Sequence, residues 1–97
     1  MATYFALVTF TDQGLRSVKD TVKRADAAQE LASRFGVRMT EIHWTLGPCD
    51  VLVKCEAQDE ASVTAFNLAL CSAGNVRTQT LRAFSRDEMA KVIEKLP

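Results

Sequence analysis

Residues 41–53 read Glu-Ile-His-Trp-Thr-Leu-Gly-Pro-Cys-Asp-Val-Leu-Val, two apolar runs joined at Gly47-Pro48. Gly-Pro breaks regular structure, so the segment reads as a hairpin. A two-residue turn there sets Trp44 opposite Val51, His43 opposite Leu52, Ile42 opposite Val53, Glu41 opposite Lys54 and Thr40 opposite Cys55. Side chains alternate faces along a strand. One face therefore collects Ile42, Trp44, Leu46, Cys49, Val51, Val53 and Cys55, and is expected to pack beneath helices. The other collects Glu41, His43, Thr45, Asp50, Leu52, Lys54 and Glu56. On it Glu41 faces Lys54, an opposite-charge pair worth about 0.2–1 kcal/mol.

Working outward, residues 4–10 (YFALVTF) form a strand apolar on both sides, with Phe5 and Leu7 on one and Ala6, Val8 and Phe10 on the other. Such a strand wants cover on both faces. Residues 11–36 read as one helix, with Leu15, Val18, Val22, Ala25, Ala32 and Phe35 at helical spacing. Thr11 or Asp12 caps its start and Gly36 stops it. Arg16/Asp20, Asp20/Arg24 and Glu30/Arg34 lie four apart, and pairs of this kind contribute about 0.3 kcal/mol each. Residues 37–46 and 49–57 are the hairpin strands. Residues 59–73 form a helix capped by Asp59 and ended by Gly74, with Val63, Phe66, Leu70 and Ala73 inward. Residues 75–84 form a fourth strand, and Ser85 with Glu88 opens a last helix in capping-box spacing. Met89, Val92, Ile93 and Leu96 give that helix an apolar side.

The order β-α-β-β-α-β plus a terminal helix is the ferredoxin-like split βαβ: an α+β domain spanning residues 1–97, with helices on one face of a four-stranded antiparallel sheet. The other face would carry charges from the hairpin beside an apolar strip from the first strand. Two such sheets stacked face to face would cover that strip. A homodimer or higher oligomer through the sheet is the expected partnership.

At 97 residues, with 12 basic and 12 acidic side chains, the chain has no net charge to draw nucleic acid or an anionic membrane. No apolar run approaches the roughly 20 residues that span a bilayer. The start MATYFALVTF lacks a basic lead-in and reads as a strand rather than a signal peptide. Three cysteines with no CxxC argue against a disulfide framework and for a cytoplasmic location.

With the hairpin and fourth strand in place, the chain resembles the GYD-domain family of small bacterial proteins. The resemblance rests on FTDQGLRSVKDTVKRA (10–25), EIHWTLGPCDVLV (41–53), GNVRTQTLRAFS (74–85) and the closing DEM with its helix. The family's Gly-Tyr-Asp signature follows the hairpin turn. Leu46, Gly47 and Asp50 match it, while Cys49 stands where tyrosine is usual. The resemblance implies a dimeric α+β barrel of two stacked sheets, and no settled activity.

For chemistry, His43 is the one histidine, placed by register near Asp50 on the diagonal and Glu41 two residues away. That arrangement suits a carboxylate-tuned general base or a hydrogen-bonded interface histidine. In an enzyme, His43 and Asp50 would be catalytic, and Glu41, Lys54 and Arg77 would bind ligand. The turn Gly74-Asn75-Val76-Arg77-Thr78 could hold an anion with Arg77 as its charge partner. Cys49, Cys55 and Cys71 are expected as packing residues, and Trp44 likewise. No spacing matches a metal site, and no nucleotide or cofactor motif is present, so no cofactor is expected. The favoured role is a small-molecule-binding or assembly module with its ligand between sheet and helices or in the shared barrel. The alternatives are a cofactor-independent oxygenase or isomerase, by fold analogy, and a purely structural subunit.

Overall fold

A computed structural model describes residues 1–97. Nine elements follow one another: β1 (Ala2–Phe10), α1 (Asp12–Arg16), a 3-10 turn (Val18–Asp20), α2 (Thr21–Arg34), β2 (Arg38–Trp44), β3 (Val51–Ala57), α3 (Glu60–Ser72), β4 (Val76–Ala83) and α4 (Arg86–Ile93). The four strands make one open antiparallel sheet in the order β2-β3-β1-β4. This is the ferredoxin-like α+β arrangement.

The core lies between the sheet and helices α2 and α3. Tyr4, Ala6 and Val8 of β1 and Val51, Val53, Cys55 and Ala57 of β3 point into it. Met39 of β2 joins them, Ala32 of α2 and Val63 and Phe66 of α3 close it from the helix side, and Val37 just before β2 completes it. Phe35 and Phe66 meet with ring centroids 6.4 Å apart, tying the end of α2 to α3. Burial pushes the Cys55 thiol above its ordinary pKa, as suits an inert packing residue.

Three departures from the sequence reading bear on the site. First, residues 11–36 are not one helix. Gly14 packs so close to the 73–75 turn that a Cβ would sit 2.1 Å from the Asn75 carbonyl oxygen. Thr11 donates to that turn twice, by its N–H to Asn75 O (3.1 Å) and by its hydroxyl to Gly74 O (2.5 Å). Alpha-1 is thus pinned to the turn and cannot run on along the axis of α2. Arg24 bridges the break, donating to Ser17 Oγ (2.5 Å), Ser17 O (3.2 Å) and Gly14 O (3.1 Å). The broken axis splits the apolar stripe and leaves Leu15, Val18 and Val22 exposed. None of the three expected i,i+4 ion pairs forms.

Second, the hairpin keeps its register from Glu41–Lys54 to Trp44–Val51 but shifts beyond it. Met39, not Thr40, pairs with Cys55, because a β-bulge lies between Met39 and Glu41. The extra residue lets Met39 and Ile42 both reach the helix side.

Third, the strands stop at Trp44 and Val51, so the turn is longer than two residues. Leu46 is fully exposed instead of facing the helices, and Trp44 is 43% exposed with its indole N–H donating to Thr21 Oγ1 at 3.0 Å. Cys49 leaves the strand alternation too. Its sulfur lies 3.4 Å from the Thr45 hydroxyl, which also donates to Cys49 O at 2.6 Å.

Alpha-4 begins with the expected capping box, in which Ser85 and Glu88 exchange side-chain and main-chain hydrogen bonds (2.9 and 3.1 Å). Its apolar side finds no cover: Met89, Ile93 and Leu96 are all exposed. The radius of gyration is 14.6 Å, against about 12.5 Å for a compact domain of this length. Arg82 tethers the helix, 3.3 Å from Glu88 and stacked over the Phe84 ring at 4.5 Å.

Candidate functional site

The register assigns every strand residue to a face. Thr3, Phe5, Leu7 and Thr9 of β1 point away from the helices. Beside them on β3 lie Glu56, Lys54 and Leu52, and on β4 lie Ala83, Leu81, Gln79 and Arg77. Beta-2 adds Arg38, Glu41 and His43. Phe5, Leu7, Leu52 and Leu81 therefore form a contiguous apolar strip on the helix-free face, flanked by charges. Leu81 is 51% exposed.

Along one margin of that strip Glu41 accepts from His43 Nε2 at 3.2 Å and forms an ion pair with Lys54 Nζ at 3.6 Å. The hydrogen bond from His43, then the charge of Lys54, hold the Glu41 carboxyl below its ordinary pKa. Arg38 and Glu56 pair next to it on the same margin. Three of the sequence candidates, Glu41, His43 and Lys54, thus come together.

The other two do not join them. Asp50 was expected diagonal to His43. Its Oδ2 instead accepts the Phe10 main-chain N–H at 2.8 Å, while its own N–H donates to Val8 O at 2.8 Å. The β1–β3 ladder ends at Val8–Val51, and the carboxylate supplies the acceptor the next β3 carbonyl would have been. So engaged, that carboxylate oxygen ends the ladder. Arg77 lies on β4, three strands from His43, or roughly 14 Å at the usual strand spacing. In the 74–78 turn the Gly74 and Asn75 carbonyls accept from Thr11, and Asn75 Oδ1 accepts from Gln13 Nε2 at 3.1 Å.

The sequence reading offered the space between sheet and helices for a ligand but named none of the residues that line it. Between the sheet and helices α2 and α3 is a cleft of about 280 Å³. Ala25, Ala27, Ala28, Ala69 and Ala73 line it where a filled core would place larger side chains. The signal was present in the alanine-rich stretches of α2 and α3 (ADAAQELA and AFNLALCSA), but helical periodicity counts alanine as core without asking what fills the space beyond its methyl. Arg24 is the cleft's one charged lining residue.

The GYD domain family matches residues 4–93. A Thermus thermophilus protein called "Glutamine synthetase and cystathionine beta-lyase binding protein" is 40% identical over 84 residues, covering 86% of this chain and 88% of its own length. Among solved structures, that of TTHA0845, also from Thermus thermophilus, superposes with a TM-score of 0.58 at 23% identity, covering 88% of this chain and 95% of that one. At that identity the likeness speaks for the fold alone.

Proposed function

Because the chain belongs to the GYD domain family, whose Thermus relative is named for binding two other proteins, we propose that it is a non-catalytic binding module working as a homodimer or larger assembly. The observation that carries this is the strip Phe5–Leu7–Leu52–Leu81 on the open sheet face, bordered by the Glu41–His43–Lys54 and Arg38–Glu56 pairs. An apolar centre with a polar rim is the anatomy of a protein interface. A second copy of the sheet is its first occupant, giving the dimeric α+β barrel, and the remaining surface is left for a partner protein. The three free cysteines fit a reducing cytoplasm. The Phe10 N–H bond to Asp50 Oδ2 weighs against an oxygenase or isomerase centred on His43 and Asp50.

Sedimentation of the full chain and of Leu7→Glu tests the reading. The native chain is expected to run as a dimer or larger, and Leu7→Glu as a monomer with unchanged far-UV circular dichroism. A native chain that is monomeric at micromolar concentration would sink the proposal.

A further inference from the structure

The helix side of the sheet holds a second feature, independent of self-association. The cleft beneath α2 and α3 is apolar nearly throughout, with Phe10, Leu31, Ile42, Phe66 and Leu70 on its walls. Its volume of about 280 Å³ is near the lower end of ligand pockets, which run from about 300 Å³ upward. Alanines on both helices keep it from being filled by the protein itself.

Into this setting the fold places a single cation. Arg24 is held at a fixed position by Ser17 and Gly14, and every one of those acceptors is neutral. No carboxylate pairs with it, not even Asp20 four residues before. A restrained, half-buried guanidinium without a counter-charge, bordering an apolar cleft, matches an anion attached to an apolar body. A carboxylate's planar fork suits a guanidinium, and carboxylate is the anion an apolar acyl or aryl body most simply carries.

We propose that this cleft is a binding site for a small carboxylate with an apolar body, an acyl chain or an aryl group. The apolar part lies against Ile42, Phe66 and Leu70, and the carboxylate meets Arg24. Asn75 and Thr21, also in the lining, stand as further hydrogen-bonding groups.

Trp44 is the chain's one tryptophan and lies in the cleft wall, so its emission reads occupancy directly. The test is a fluorescence titration of the full chain with octanoate and, separately, with 1-octanol, its uncharged counterpart. Octanoate is expected to give a saturable change and to bind at least tenfold more tightly than octanol. Arg24→Gln should bring octanoate down to the level of octanol while leaving octanol unchanged. Arg24 also braces α1, so the comparison of the two probes on the native chain stands without that variant. Ala28→Met, which occupies the cleft, should weaken both probes. Equal affinity for the two probes, no saturable change, or binding indifferent to Ala28→Met would each overturn the proposal.

Discussion

Asp50 Oδ2 accepts the main-chain N–H of Phe10 at 2.8 Å, across forty residues of sequence. The carboxylate stands in for a strand carbonyl at the point where β3 turns away from β1. It ties the hairpin end to the end of the central strand, just ahead of Thr11 and the pinned helix α1.

Removing that acceptor leaves a half-buried N–H without a partner, which costs about 1–3 kcal/mol. Asp50→Ala is expected to lose stability in that range in urea denaturation. Asp50→Asn keeps a carbonyl oxygen at the same reach and should lose less. Equal losses would mean that the charge, not the acceptor, holds Phe10.

Gly14 is required for space. A Cβ there would lie 2.1 Å from the Asn75 carbonyl oxygen and 3.0 Å from its carbon, both main-chain atoms. Neither can swing aside as a side chain would. Gly14→Ala must push α1 off the 73–75 turn, straining the Thr11–Asn75 and Thr11–Gly74 hydrogen bonds. A loss of about 3 kcal/mol is expected, at the upper end for overpacking, and the urea midpoint measures it. A neutral effect would show that α1 is not pinned there.

The fold was legible because its signals are local. Asp59 caps α3, Ser85 and Glu88 box α4, and the alternation about Gly47-Pro48 fixed four cross-strand pairs correctly. The break after α1 was hidden because its cause is a contact between Gly14 and Asn75, distant in sequence. Asp50 misled for the same reason: alternation assigns it to a face, whereas the end of the β1–β3 ladder draws it into the sheet plane. Glu41, His43 and Lys54 were found together because strand register alone places them. The cleft's place between sheet and helices was named but its lining was not, because alanine satisfies a helical pattern whether or not anything fills the room beside it.

Acid should loosen the helix starts. Asp59 is held below its ordinary pKa of 3.8 chiefly by the Ser62 main-chain N–H. Glu88 is held below 4.5 chiefly by the Ser85 main-chain N–H, with Arg82 adding to it. A carboxyl whose folded pKa is lowered stabilises the fold above its unfolded pKa, and that contribution disappears as pH falls through the lower folded value. Stability should therefore be flat above about pH 5 and decline below 4.5. In Glu88→Gln the decline should be shallower, because one of the titrating groups is gone. Thermal melts between about pH 3 and 6 decide this, and identical slopes for the two proteins would assign the acid sensitivity elsewhere.

The bulge in β2 yields the most demanding prediction. Arg38 pairs with Glu56 and Met39 with Cys55, then Glu41 with Lys54, so Thr40 is the unmatched residue. Its hydroxyl makes one long bond to Lys54 O at 3.3 Å. Deleting Thr40 would leave Arg38, Met39, Glu41 and Ile42 alternating regularly, with Met39 still buried and Glu41 still facing Lys54. Beta-2 is an edge strand, so nothing on its far side resists the straightening. The deletion is expected to change stability by no more than about 1 kcal/mol, the scale of a single exposed hydrogen bond. Deleting Met39 removes the same bulge but brings Thr40 opposite Cys55 in the core, at about 2–5 kcal/mol for the lost apolar side chain. Urea denaturation of the two deletions gives the comparison. Similar losses in both would show that the bulge itself, and not the face on which Met39 lands, is what the sheet requires.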